Sequence, residues 1–168
     1  MVRGLIALVV MAIFTCPTGA ETIVLDFGDQ PSRPCNSEWE MSGLNLRMIR
    51  LVNECAAIDT RYGWVLGNTC LEIDLSPLGG VRNVSASFLN YSADFGFAVY
   101  LLDPEVPVAG AITYTTGVRE EMLISAGLNA VNRARVFCYN GFLYAITIEY
   151  ETVGAEGTTW GNIKALYR

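Results

Sequence analysis

Residues 133–150 read RARVFCYNGFLYAITIEY, and this stretch decides the fold. Apolar and polar side chains alternate on both sides of a central Asn140-Gly141 pair. Alternation with a period of two residues is typical of a half-buried β-strand. An Asn-Gly pair between two such runs is the strongest short signal for a β-hairpin, because both turn residues need a positive φ. We therefore predict two antiparallel strands, over residues 133–139 and 142–150, joined by a tight turn.

The same alternation recurs along the rest of the chain, and helical periodicity is nearly absent. Eight or nine short strands separated by turn residues predict an all-β fold, an antiparallel β-sandwich of the jelly-roll type. A parallel α/β sheet is disfavoured because no crossover helices are visible. The further strands are predicted over residues 22–27, 44–52, 70–75, 81–89, 95–102, 111–115 and 118–124.

The chain begins with the pattern of a cleaved secretory signal peptide. Arg3 precedes an unbroken apolar run over residues 5–14, and small residues end at Ala20. A run of that length makes about 15 Å of helix, half of what a membrane span needs. We therefore expect export without a transmembrane span, to a secreted, periplasmic or extracellular location. Lipid attachment at Cys16 is the alternative, although Thr15 stands where such processing prefers a smaller residue.

This signal divides the chain into three parts. We predict a signal peptide over residues 1–20 and one β-sandwich domain over residues 21–152. A glycine-rich loop and a C-terminal strand or tail follow over residues 153–168. One domain is the natural number at this length.

Composition excludes several classes of function. The net charge of −6 argues against binding to nucleic acid or anionic lipid, which needs clustered Lys and Arg. The chain contains no histidine, which excludes Ser–His–Asp and Cys–His catalysis. Only 17% of the residues are charged and 11% are aromatic, so the chain is not of the disordered class.

Four cysteines follow the predicted signal peptide, at positions 35, 55, 70 and 138. An even number in an exported chain predicts two disulfides, with three possible connectivities. The predicted strand over residues 44–52 is about 30 Å long and separates Cys35 from Cys55. A disulfide needs Cα atoms within about 7 Å. We therefore favour the pairs Cys55–Cys70 and Cys35–Cys138.

The order and texture of the strands resemble a known group of proteins. The residues that carry this resemblance are VLDFGD (24–29), LEIDLSPLGGVRNVSASF (71–88), FGFAVYLLD (95–103) and ITIEY (146–150). They are similar to small exported bacterial jelly-roll domains, of the kind found in carbohydrate-binding modules and PEP-CTERM-type surface proteins. The resemblance implies a binding or cell-surface role, with extracellular carbohydrate as a candidate ligand.

The resemblance also implies a structural calcium ion, because jelly-roll carbohydrate modules often carry one. Asp26 and Glu149 are the candidate ligands. Both face away from the predicted core, on an early strand and on a late one that we expect to be neighbours. Ca²⁺ takes six to eight oxygen ligands, so these carboxylates would supply only part of the shell. No other cofactor is predicted.

A loop rich in aromatic residues is the predicted ligand site. Tyr62 and Trp64 lie close to Arg61 and Asp59, between the two cysteines of the favoured Cys55–Cys70 pair. Sugar rings stack on exposed flat aromatic rings, and ligand sites combine such rings with a few polar groups. The alternative is that Trp64 plugs the end of the sandwich. Solvent exposure of the three tryptophans decides between these interpretations.

Carboxylate chemistry is the catalytic alternative. Glu72 and Asp74 are spaced i, i+2 and would point to one face of a strand. The segment resembles the E-x-D-x-E strand of laminarinase-type glucanases, but Ser76 stands where that motif has its second Glu. A retaining glycosidase needs two carboxyl groups about 5–5.5 Å apart.

Three functions from different classes therefore stay open. The leading hypothesis is a secreted, non-catalytic β-sandwich that binds carbohydrate or a cell-surface component, with no catalytic residue. The second is a small carboxylate-dependent glycan hydrolase. The third is a structural or assembly protein without a small ligand.

Overall fold

The computed structural model describes residues 19–28, 30–50, 56–60, 63–94, 96–127 and 129–152. The predicted signal peptide up to residue 18 and the predicted tail over 153–168 lie outside these residues. The first strand begins at Gly19, two residues before the predicted cleavage point. The described residues contain no helix long and apolar enough to cross a membrane.

The described residues form ten β-strands, which confirms an all-β, antiparallel fold. All the pairings between them are antiparallel. The alternation of apolar and polar side chains explains these strands, because it gives each one a buried and a solvated face. The strands are β1 (Gly19–Asp26), β2 (Glu38–Met41), β3 (Leu44–Arg50), β4 (Ala56–Thr60), β5 (Gly63–Asp74), β6 (Gly80–Asn90), β7 (Phe97–Asp103), β8 (Val106–Thr113), β9 (Arg119–Ser125) and β10 (Arg133–Thr152).

The strands form two layers that share the long strand β10. The first layer has the order β2-β3-β5-β10-β7-β8, and β4 also pairs with β5. The second layer has the order β1-β10-β6-β9. The N-terminal half of β10 belongs to the first layer and its C-terminal half to the second. The result is the predicted antiparallel β-sandwich.

One hydrophobic core joins the two layers. Phe88 on β6 and Phe97 on β7 stack face to face across it, with ring centroids 3.8 Å apart and planes within 2° of parallel. Both side chains are fully buried. Buried Leu71 and Ile73 from the first layer belong to the same cluster of side chains. The face of the first layer that points away from this cluster is its outer face.

The predicted hairpin at Asn140-Gly141 is wrong, because β10 runs through both residues without a turn. Asn140 pairs with Gly67 and Gly141 with Leu66, in register with the residues before them. At this point the neighbour of β10 on its other side changes from β7 to β6. Glycine is needed there for close approach: a Cβ atom on Gly141 would lie 2.3 Å from the carbonyl oxygen of Leu89. A glycine inside a strand often marks such a site.

Candidate functional site

A row of charged side chains crosses the outer face of the first layer. Residues paired across antiparallel strands point to the same face and lie about 5 Å apart, so their side chains interact. The signs of the charges alternate along this row, and an aromatic ring ends it. In strand order the row is Glu38, Arg47, Glu72, Arg135 and Tyr100.

The ion pair between Glu72 and Arg135 holds the centre of this row. Arg135 Nε donates to Glu72 Oε2 at 2.7 Å. The side chain of Glu72 is only 12% exposed and that of Arg135 25%. The hydrogen bond to Glu72 raises the pKa of Arg135 above its usual value. This pair is therefore a fixed, partly desolvated element of the surface, unlike the exposed pair of Arg47 with Glu38 at 3.5 Å.

A second carboxylate reaches the row from the turn between β7 and β8. Glu105 forms ion pairs with both Arg133 and Arg135, and its Oε2 lies 3.0 Å from Arg135 Nη2. The hydrogen bond from Arg135, with the charge of Arg133, lowers the pKa of Glu105. A lowered pKa means that Glu105 stays ionised to a lower pH than a free glutamate, and that these ion pairs are lost only below that pH.

Two hollows lie beside this cluster of charges. A groove of about 360 Å³ is lined by the acidic and basic side chains of β2, β3, β5 and β10. A smaller hollow of about 210 Å³ lies on the other side. The first is lined by Glu38, Asn45, Leu46, Arg47, Glu72, Asp74 and Arg133, and the second by Tyr100, Leu102, Glu105, Pro107, Arg135 and Phe137.

Two half-buried aromatic rings line the smaller hollow. Tyr100 and Phe137 meet edge to face, with centroids 5.7 Å apart. Tyr100 lies against Gly110, its partner on β8, where a Cβ atom would lie 2.4 Å from the tyrosine ring. The glycine thus leaves room for the ring. Apolar ring surface and charged groups therefore lie next to each other on the outer face.

The predicted carboxylate pair does lie on this face, but its members have other partners. Glu72 is paired with Arg135. Asp74 Oδ1 accepts hydrogen bonds from the backbone N–H of Ser76 at 3.0 Å and from its hydroxyl at 2.6 Å. Ser76 therefore helps to close the turn after β5. This geometry does not favour a free general acid beside a nucleophile.

The predicted calcium ligands lie too far apart to share one ion. Strands β1 and β10 are neighbours, as expected, but Glu149 pairs with Thr22 and Asp26 with Ala145. The two carboxylates are four residues apart along the sheet, about 13 Å. Calcium–oxygen distances are about 2.3–2.6 Å. Asp26 accepts from the backbone N–H of Gly28, and Glu149 accepts from Asn83. The described part of the chain contains no group of three potential metal-ligating side chains.

The predicted disulfides Cys55–Cys70 and Cys35–Cys138 are wrong, since Cys70 and Cys138 are free and buried. Cys70 pairs with Phe137 across β5 and β10, and Cys138 pairs with Thr69. The two thiols therefore point to opposite faces of the sheet and cannot bond to each other. Cys35 is disulfide-bonded, but Cys138 is not its partner. Cys55 lies outside the described residues.

Both free thiols should resist alkylation in the folded protein. Burial raises the pKa of Cys70 and of Cys138 to about 12, and the thiolate is the form that reacts. At about pH 8 we expect iodoacetamide to leave both unmodified, and to modify both once guanidinium unfolds the chain. Mass spectrometry of the two peptides measures this, with glutathione as the reactive control. Rapid modification of either cysteine in the folded protein would contradict its buried position.

The predicted aromatic ligand site lies largely outside the described residues. Arg61 and Tyr62 fall in the gap between β4 and β5. Asp59 and Trp64 are described by their backbone, and they pair with each other. That site stays a prediction. Trp39 is half-buried against the core, with the Arg33 guanidinium 5.4 Å from its ring centroid, so it is not a free stacking platform.

The residues that complete the outer-face row were not singled out from the sequence. Arg133 and Arg135 are two residues apart on one strand, so the sequence alone indicates that they share a face. The sequence does not indicate which residues lie opposite them, because the register between strands that are distant in sequence leaves no local signal. A search of protein-family models, of the curated proteins and of the solved structures finds no match to this chain.

Proposed function

We propose that this chain is a non-catalytic carbohydrate-binding domain whose ligand lies along the outer face of the first layer. The observation that carries the proposal is the row of alternating charges beside two half-buried rings. Sugar hydroxyls both donate and accept hydrogen bonds. Fixed guanidinium groups supply donors, and carboxylates supply acceptors.

The position of these groups on paired strands supports ligand binding. Groups held in this way lose little conformational freedom when a ligand binds. Tyr100 and Phe137 add apolar surface for the faces of sugar rings. Glu72 accepts a hydrogen bond from Arg135, which fixes its carboxylate on this face.

Binding to oligosaccharides, measured by isothermal titration calorimetry, tests the proposal. A panel of neutral and acidic oligosaccharides identifies the ligand. The variant Tyr100→Ala should weaken its binding about tenfold, because it removes apolar ring surface. Arg47→Gln should weaken it as well, and it removes only an exposed ion pair, so folding is preserved.

Tyr91→Ala is the matched control. Tyr91 is an exposed tyrosine, 51% accessible, that contacts Phe142 instead of the outer-face row. It should leave affinity unchanged. Equal affinity of the wild type, Tyr100→Ala and Arg47→Gln would refute this face as the site. Absence of binding to every oligosaccharide would refute the function.

A further inference from the structure

One carboxylate on the outer face is held by two arginines of another strand. Asp103 pairs with Val106, so Pro104 and Glu105 form the two-residue connection between β7 and β8. Each oxygen of the Glu105 carboxylate contacts a different guanidinium group. Arg133 and Arg135 are spaced i, i+2 on β10, about 7 Å apart along the strand. This spacing lets both guanidinium groups reach one carboxylate.

Glu105 is not needed to neutralise a buried charge. Its own side chain is 60% exposed, and exposed ion pairs of this kind contribute little to stability. Arg135 already has Glu72 as a closer and less exposed partner. Among the ion pairs of the described residues, Arg133 has Glu105 alone. Asp74, which pairs with Arg133 across the strands, has one carboxylate oxygen engaged by Ser76.

We propose that Arg133 and Arg135 form a carboxylate-binding seat that Glu105 fills in the free protein, and that the carboxylate of an acidic sugar replaces it. This inference rests on the proposed carbohydrate-binding function and names the class of ligand: an oligosaccharide that carries a uronic acid residue. Glu105 acts as an internal competitor, and its exposed side chain leaves the two arginines when the ligand binds.

The position of the bridge supports this assignment. Arg133 lines the larger groove, whereas Arg135 and Glu105 line the smaller hollow. The ion pair of Glu105 with Arg133 therefore lies between the two hollows. A ligand carboxylate in the seat restores the charge balance that Glu105 provides. A neutral sugar does not, since it would leave Arg133 without an anionic partner.

The charge of the remaining surface limits the ligand to isolated carboxylates. The chain has a net charge of −6, and Glu38, Glu72 and Asp74 line the neighbouring groove. A dense polyanion would be repelled by these groups. A single uronic acid on a neutral backbone fits the single seat, and its binding should weaken with salt as one ion pair does.

Matched oligosaccharides test the seat by calorimetry. The probes are xylotetraose, xylotetraose that carries one glucuronic acid, and the methyl ester of the latter. The wild type should bind the acid at least tenfold more tightly than the ester or the neutral oligosaccharide. Glu105→Gln should bind the acid severalfold more tightly still, because the competitor loses its charge. Arg133→Gln should lose the preference for the acid.

Arg82→Gln is the control, since it removes an exposed arginine paired with Glu151 on the second layer. It should leave all affinities unchanged. Unchanged or weaker binding of the acid by Glu105→Gln, or a preference that survives in Arg133→Gln, overturns the seat. Equal binding of all three probes, still sensitive to Tyr100→Ala, overturns the seat and leaves the carbohydrate function standing. If the protein binds none of the probes and no oligosaccharide of the wider panel, both the seat and the carbohydrate-binding function are refuted.

Discussion

Replacing Phe97 with alanine should lower the free energy of unfolding by about 3–5 kcal/mol. Phe97 is fully buried and stacks on Phe88 at 3.8 Å between centroids. Alanine removes the ring and leaves a cavity between the two layers, whose surrounding strands can relax only in part. Domains of this size are typically stable by about 5–15 kcal/mol. Urea denaturation followed by tryptophan fluorescence measures the loss.

Leu123→Ala provides the comparison. Leu123 lies on β9, but its side chain is 67% exposed, so its truncation should change stability by no more than about 0.5 kcal/mol. In a double-mutant cycle of Phe88→Ala and Phe97→Ala, the coupling energy should reach about 0.5–1.5 kcal/mol. A cost below about 1 kcal/mol for Phe97→Ala would contradict the stacking of the layers through these rings.

Local alternation predicts most of the strands, although β2 and β4 lie outside the predicted ranges and β5 begins before its own. Leu71, Ile73 and Leu75 alternate with polar residues at the end of β5 and just after it, and all three are fully buried. Val84, Ala86 and Phe88 alternate in the same way on β6 and are buried as well. This succeeds because a strand's two faces are set by a period of two residues, which a short stretch of sequence displays in full.

Contacts between distant segments were not readable in the same way. The predicted pairs Cys55–Cys70 and Cys35–Cys138 depend on which segments meet in the fold, and Cys70 and Cys138 are instead both free and buried. For the candidate site, the sequence places Glu72 beside a second acid, Asp74. Its partner Arg135 is 63 residues away and becomes visible only once β5 and β10 are paired.

The Asn140-Gly141 pair shows how a strong local signal can be overridden by packing. Both residues are favoured in tight turns, yet Gly141 has no positive φ and pairs with Asn90 on β6. Before the Asn140-Gly141 pair, every second side chain of β10 is buried, up to Cys138. The next buried side chain is that of Leu143, so the alternation is out of step by one residue after the pair. The glycine is used for its missing side chain, at the place where β10 passes from one layer to the other.

Gly141→Val should therefore be among the most destabilising substitutions in the chain, costing about 3 kcal/mol or more. Its Cβ atom would lie 2.3 Å from the Leu89 carbonyl oxygen and 2.9 Å from Cys138 Sγ. The first contact is with backbone, so relief requires β6 and β10 to separate where the layers join. If Gly141 instead occupied a hairpin turn at the surface, no such contact would exist.

A comparison with Gly80→Ala separates this contact from the general cost of changing a glycine. At Gly80, also in a strand, the nearest atom to an added Cβ belongs to the Glu151 side chain at 3.7 Å, an ordinary contact. Alanine there should be neutral or slightly stabilising, since it restricts the unfolded chain. Urea denaturation of both variants, with Gly141→Ala as the smallest change at the crossing, measures the difference. If Gly141→Ala were as stable as Gly80→Ala, β10 would not pass from one layer to the other at this residue.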